Sequence, residues 1–271
     1  MPDVFVSGAF DDLRSQDVRF LQEAARLGDV TVLLWSDESF CSLVGHLPEF
    51  PQVERVYMIE AIRYVNHVIL VEEPVEPDRL PLQNVLRPDL WIVSQAEDSP
   101  AKHQFCVSFG IGYRVIPASQ LEGFPALQSP LPDPEQKKVI VTGCFDWLHS
   151  GHIRFFEQAA AYGALCVSVG SDATIRQLKG AGHPWQSQQE RLYMVQAVRS
   201  VSQAFIAYGS GYLDSEPEIE RIRPDVYLVN QDGDRPEKRD FCRTHGLQYV
   251  VLQRVPKDGL PARQSTYLRG F

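Results

Sequence analysis

The chain has 271 residues, 44% hydrophobic and 23% charged, a composition that excludes disordered, collagen-like and coiled-coil classes and suits one large domain or two of about 130 residues. Its net charge of −9 is uneven: residues 1–135 carry 9 basic and 21 acidic side chains (−12), and residues 136–271 carry 17 and 14 (+3). An acidic whole argues against non-specific binding to nucleic acid or to an anionic membrane, and a polyanionic small ligand would prefer the second half.

The N-terminal MPDVFVSGAFDD has no basic region followed by an apolar one, so no secretory signal is expected. Apolar runs stay short, Val30–Trp35 (VTVLLW) among the longest, well below the roughly 18 residues of a membrane span. The five cysteines (Cys41, Cys106, Cys144, Cys166, Cys242) are scattered, odd in number and never spaced CxxC. That usage points to reduced thiols and a cytoplasmic protein, with neither a disulfide framework nor a zinc site. Further along stand ERVYMIEAIRYV (Glu54–Val65), RPDLWIV (Arg87–Val93) and Phe105-Cys106. Four prolines then fall between Pro125 and Pro134, a density that blocks helix and ladder and reads as a semi-rigid linker over 121–136.

Beyond the linker the chain repeats itself. SGAFDDL (Ser7–Leu13) returns as TGCFDWL (Thr142–Leu148), and ERVYMIEAIRYV returns 136 residues later as ERLYMVQAVRSV (Glu190–Val201), identical at 7 of 12 positions. RPDVYLV (Arg223–Val229) and Phe241-Cys242 keep the same offset. Agreement over the whole length implies tandem copies of one domain, over 1–120 and 137–271. In the second copy, KKVIVTG (Lys137–Gly143) reads as a buried strand, HIRFFEQAAAYG (His152–Gly163) as a helix with a Gly stop, and ALCVSVGSD (Ala164–Asp172) as a strand. QQERLYMVQAVRSV reads as a helix, AFIAY as a strand, PEIERIR as a short helix, DVYLVN as a strand, RPEKRDFCRTHG as a helix and LQYVVLQ as a strand. Such alternation predicts an α/β fold: two tandem Rossmann-like domains, each a parallel doubly wound sheet of about five strands, with ligands beyond the strands' carboxyl ends.

TGCFDWLHSGHIRF (Thr142–Phe155) carries the most chemistry. His149 and His152 stand where a strand turns into a helix, and the free N–H groups of a helix start attract anions. Gly143, Phe145, Asp146, His149, Gly151 and His152 fall in register with the GxFDxxHxGH signature, so this segment resembles the cytidylyltransferase-like nucleotidylyltransferases. SDATIRQLKGAGHPW (Ser171–Trp185) is similar to the matching segment of bacterial heptose-1-phosphate adenylyltransferases, except that His183 stands where an arginine is usual. The resemblance implies His149, His152 and Lys179 as catalytic residues. It further implies Gly143, Cys144, Phe145, Asp146, Gly151, the Asp232-Gly233-Asp234 turn of NQDGD and the Ser265-Thr266 pair of RQSTYLRGF as nucleotide-binding. Asp172 and Arg191 are candidate substrate contacts, Arg191 being either ligand-facing or salt-bridged.

The same resemblance implies transfer of a nucleoside monophosphate from CTP or ATP, with Mg²⁺, to a sugar, polyol or amino-alcohol phosphate, releasing pyrophosphate. The first copy keeps Gly8, Phe10 and Asp11, but HSGH becomes Arg14-Ser15-Gln16-Asp17 and no lysine matches Lys179. An acidic residue repels a triphosphate, so the first copy is expected to be inactive. It would serve the second as an intramolecular pseudo-dimer, a layout similar to phosphoethanolamine cytidylyltransferase; a homodimer is the other arrangement. The rival functions are a non-catalytic nucleotide sensor or scaffold, and a coenzyme or flavin adenylyltransferase.

Overall fold

In each half, period-two runs of Val, Ile and Leu bury both faces of a strand, and Gly or a polar residue closes it where a helix must turn back. The computed structural model describes residues 1–72, 76–82, 87–125 and 135–268, without the Thr266 side chain. The chain divides into two compact units, Met1–Phe124 and Pro125–Phe271. Residues 126–134 of the linker expected over 121–136 lie outside the described residues, as does the side chain of Thr266.

The first unit runs β1 (Asp3–Gly8), α1 (Ser15–Ala25), β2 (Asp29–Trp35), α2 (Asp37–Val44), α3 (Gln52–Glu60), β3 (His67–Val71), β4 (Leu90–Ser94), α4 (Pro100–Phe109) and β5 (Gly112–Ile116). The second runs β6 (Lys138–Gly143), α5 (Ser150–Ala160), β7 (Ala164–Val169), α6 (Asp172–Lys179), α7 (Gln188–Gln196), β8 (Gln203–Ile206), α8 (Glu216–Ile222), β9 (Val226–Asn230), α9 (Pro236–His245), β10 (Gln248–Leu252) and the short α10 (Ser265–Leu268). Both sheets are parallel and five-stranded, ordered β3-β2-β1-β4-β5 and β10-β9-β6-β7-β8. The topology is the same in each, as two Rossmann-like domains require.

The repeat is structural, and its one-residue slip has a location. Elements from β1 to α2 recur 135 residues later and those from α3 on start 136 later, so the insertion lies between Lys179 and Gln188. That longer loop carries Gly180 and His183, with a cis peptide before Pro184. The helix α6 was not expected from the sequence. Its apolar stripe is only Ile175 and Leu178, although Ser171 caps its start by accepting from the Thr174 N–H.

In the second unit Ile140, Cys166, Tyr227 and Val229 on one sheet face pack with Ile219, Phe241 and Cys242 from α8 and α9. Val139, Val141, Leu165 and Val167 are fully buried and alternate with them along β6 and β7, facing the other helix layer with Ile153 and Phe156 of α5. Strand order reverses between β6 and β9, and the crevice such a reversal opens at the carboxyl ends is where doubly wound sheets bind ligands.

Candidate active site

A cleft of about 440 Å³ opens there. Thr142 and Gly143 of β6, Gly170 just past β7, and Val229 and Asn230 of β9 form its floor. Of the residues singled out from the sequence, Gly143, Cys144, Phe145, Asp146, Gly151, His152, Lys179, Asp232, Gly233 and Ser265 line it.

The turn after β6 is tight, with Phe145 at φ 50° and Trp147 at φ 62°, a left-handed conformation that costs a non-glycine residue about 1 kcal/mol or more. Packing holds it. The Phe145 ring meets Phe156 at 5.0 Å and stands edge-on to His152 at 5.6 Å. A methyl group at Gly143 would lie 2.7 Å from Phe145 Cζ, so this position needs glycine. The Asp146 carboxylate is 2% exposed and accepts from the Trp185 and Gln186 N–H groups at 2.8 and 3.0 Å. Asp146 therefore ties the loop before α7 to the turn, besides bordering the cleft.

His149 is the N-cap of α5: its Nδ1 accepts from the Gly151 N–H at 3.1 Å. The neutral ring then carries its proton on Nε2, which is buried with no hydrogen-bond partner among the described residues. Burial, with the positive charges of Arg254 and Arg263, pulls its pKa down to about 3. At neutral pH His149 is thus an uncharged donor, and an unsatisfied buried donor is costly until a ligand oxygen meets it. The His152 ring stacks on it at 4.0 Å and 21° and faces the cleft. Glycine between them is a steric requirement, since a methyl group on Gly151 would come within 2.9 Å of His149 Cε1.

Four expected contacts are placed elsewhere. His149 lies beneath His152, 1% exposed, and does not line the cleft. Arg191 is fully buried: its guanidinium donates to Gln186 O (3.1 Å), Cys144 O (2.7 Å), Gly170 O (2.8 Å) and Asp172 Oδ1 (2.8 Å). Of the two roles open to Arg191 it takes the salt bridge, and Asp172, its partner, is not among the residues that line the cleft. Asp234 turns away from the cleft to Arg239, whose hydrogen bonds hold its carboxyl below the usual range, and accepts from Tyr249 Oη at 3.0 Å.

The first unit supports the structural reading of Arg191. Arg55 donates to Phe50 O, Ala9 O, Trp35 O and Asp37 Oδ1 at 2.7–2.9 Å, and Asp11 accepts from Glu49 and Phe50 N–H at 2.8 and 2.9 Å. These ties match those of Arg191 and Asp146 bond for bond in a unit without the histidines. Arg14 occupies the His149 position as N-cap of α1, with Asp17 accepting from its N–H at 2.8 Å. Val44 ends α2 where Lys179 ends α6.

The sequence reading missed Tyr212, Asp214, Arg235, Lys238 and Arg254, which also line the cleft. Arg254 donates to Asp232 Oδ2 (2.9 Å) and Arg263 O (2.7 Å), fastening the C-terminal segment across the cleft mouth. No local motif marks these residues. The repeat offered one signal, because Asp78 and Lys102 stand 136 positions before Asp214 and Lys238. Among the described residues no group of three or more His, Cys, Asp or Glu is gathered as a metal site, and no helix is long and apolar enough to cross a membrane.

The sheet reversal, the crevice and the histidines at the α5 start put the candidate site at the carboxyl ends of a doubly wound α/β domain. Residues 140–255, within the second unit, match the cytidylyltransferase-like family. The bifunctional protein HldE of Azotobacter vinelandii is 35% identical over 122 residues, covering 43% of this chain and 25% of that protein. HldE of Pseudomonas paraeruginosa is 37% identical over 125 residues, covering 45% and 23%. The chain thus spans about a quarter of the length of these relatives. A lipopolysaccharide core biosynthesis protein from Thermoplasma volcanium, of known crystal structure, aligns with 45% of this chain and 99% of its own at 23% identity and a TM-score of 0.39.

Proposed function

We propose that the second unit transfers a nucleoside monophosphate from ATP or CTP to a phosphorylated small molecule, a sugar or polyol phosphate, with release of pyrophosphate. The observation that carries this reading is the stacked pair His149 and His152 at the N-terminus of α5, one buried and neutral, the other facing the cleft. Likeness to the adenylyltransferase of heptose 1-phosphate in the SDATIRQLKG segment supports a sugar phosphate as acceptor.

In this reaction a phosphate oxygen of the acceptor attacks the α-phosphorus in line. The bond from that phosphorus to the bridging oxygen breaks, and pyrophosphate leaves with the electron pair. Charge grows on the α-oxygens and on the leaving group, so preorganised donors lower the barrier. His152 would donate from the cleft wall, and the neutral His149 beneath it would offer Nε2–H only once the His152 ring moves aside for a ligand oxygen. Lys179, exposed at the end of α6, would hold phosphates of both reactants, with Ser265 and Arg254 toward the leaving end. Magnesium would enter bound to the nucleotide as part of the substrate. The first unit, with Arg14 and Asp17 at the histidine positions, is read as a non-catalytic copy.

Pyrophosphate release tests this directly, with ATP and CTP each offered hexose and heptose 1-phosphates, glycerol 3-phosphate and phosphoethanolamine. Removing one such donor costs about 10²–10³ in kcat, so His152→Ala should lose at least 100-fold with its melting temperature unchanged. Nucleotide binding with no turnover on any acceptor would instead make the protein a sensor.

A further inference from the structure

Asp214 and Lys238 line the same cleft, apart from the residues proposed to hold the phosphates. Lys238, on α9, is 8% exposed. Its ammonium lies 5.6 Å from the centre of the Tyr227 ring and makes one long hydrogen bond, 3.3 Å to Thr142 Oγ1, which the Tyr227 hydroxyl also approaches at 3.1 Å. An ammonium has three donors, so two are unused among the described residues. Asp214 is 9% exposed. Its Oδ1 accepts from Ser215 Oγ at 3.1 Å, and Oδ2 has no hydrogen-bond partner among the described residues. That carboxylate sits close over the chain beyond β7, where a methyl group on Gly170 would come within 3.4 Å of Oδ2.

The two charges influence each other's protonation but form no ion pair within 4.0 Å. Burial presses on both, raising the carboxyl pKa and lowering that of the ammonium. Opposite buried charges left unpaired and short of hydrogen bonds are expensive. The first unit holds the same two residues more tightly: Lys102 donates to Glu97 O at 2.5 Å, and Asp78 accepts from Ser99 Oγ at 2.6 Å. Each of these groups makes one hydrogen bond, as in the second unit, but the bonds are shorter than the 3.3 Å of Lys238 and the 3.1 Å of Asp214.

We propose that Asp214 and Lys238 read hydroxyl groups of the acceptor, the carboxylate accepting from one hydroxyl and the ammonium donating to another, so that the cleft selects a sugar or polyol phosphate over an amino-alcohol phosphate. A hydroxyl both donates and accepts, so a polyol satisfies each group without adding charge. An amino alcohol would bring a third cation beside Lys238 and Arg235, both of which line this wall. The assignment rests on the transferase reading above and names the residues that set its acceptor.

The test is steady-state pyrophosphate release by the full chain with the size-matched pair glycerol 3-phosphate and phosphoethanolamine, and with hexose 1-phosphates. The wild type should favour the hydroxylated acceptors at least tenfold in kcat/KM. Lys238→Met and Asp214→Asn should each raise the acceptor KM at least tenfold and leave the nucleotide KM within twofold, and Lys238→Arg should recover part of the loss. If Lys238→Met unfolds, Lys238→Arg and Asp214→Asn carry the comparison. A wild-type preference for phosphoethanolamine, or an acceptor KM within twofold of wild type in these variants, overturns the assignment. A wild type that releases no pyrophosphate with any acceptor refutes the transferase reading, and this assignment falls with it.

Discussion

His149 should stay neutral far below the pH at which histidine ordinarily titrates, and the cost of that neutrality should appear as acid sensitivity. Its pKa falls from the ordinary 6.5 to about 3 because burial, Arg254 and Arg263 all disfavour the imidazolium. The folded value lies below the unfolded one, so between these limits the unfolded chain binds more protons and stability drops as pH falls. At about 1.4 kcal/mol per pH unit, the contribution is complete above pH 6.5; about 2 kcal/mol of it is gone at pH 5 and about 2.7 at pH 4.5. His149→Asn isolates this effect, since asparagine caps a helix start and does not titrate. Urea unfolding of the two proteins from pH 7.5 to 4.5 should give stability differences that shift by those amounts. An NMR titration of the imidazole signals, assigned by their loss in the variant, should show the Nε2–H tautomer and no protonation step above pH 4. A step near pH 6.5, or parallel stability curves, would refute both the neutral-donor role and the packing argument behind it.

Three further outcomes follow from the same geometry. Gly151→Ala must push the His149 ring aside by several tenths of an ångström, so transfer should fall at least tenfold while overpacking costs about 1–3 kcal/mol; activity within twofold of wild type would contradict it. Arg191→Met strips one carboxylate and three carbonyls of their donor, and calorimetry should register a loss of about 3 kcal/mol or more, as it should for Arg55→Met; a raised KM with an unchanged melting temperature would restore Arg191 as a ligand contact. Burial raises the Cys144 thiol pKa despite nearby Lys179 and Arg191, so iodoacetamide should modify Cys144 more slowly than free glutathione at pH 7.5, and labelling faster than glutathione would show that the thiol is not buried as described.

How much could be read in advance depended on whether information lay along the chain or across it. The strands of the second unit follow from apolar runs closed by Gly or a polar residue, such as VIVTG before the turn at Cys144. The histidine corner was legible because all of its parts fall within one turn and one helix start. Helix α6 was not, since two apolar residues make too narrow a stripe to separate a helix from a loop. Asp214, Arg235, Lys238 and Arg254 converge only when β6, β9 and the C-terminal segment come together. Arg191 sits in a periodic apolar stretch, and periodicity alone does not distinguish an arginine that binds a ligand from one that binds its own backbone.

The two copies separate the scaffold from the chemistry within the GxFDxxHxGH segment. Asp11 and Asp146 make equivalent bonds, as do Arg55 and Arg191, and Phe10 and Phe145 share the left-handed backbone at φ 47° and 50°. These residues hold the β–turn–α corner whether or not a histidine follows, so GxFD specifies the turn independently of HxGH. Among these paired residues, those that differ are the ones that would meet an anion or an acceptor. Arg14 and Asp17 stand in place of the histidines, Val44 in place of Lys179, and Lys102 and Asp78 make shorter hydrogen bonds than Lys238 and Asp214. At this corner the two units share the ties that hold the backbone and differ at the histidine positions, and the split of net charge between −12 and +3 follows the same division.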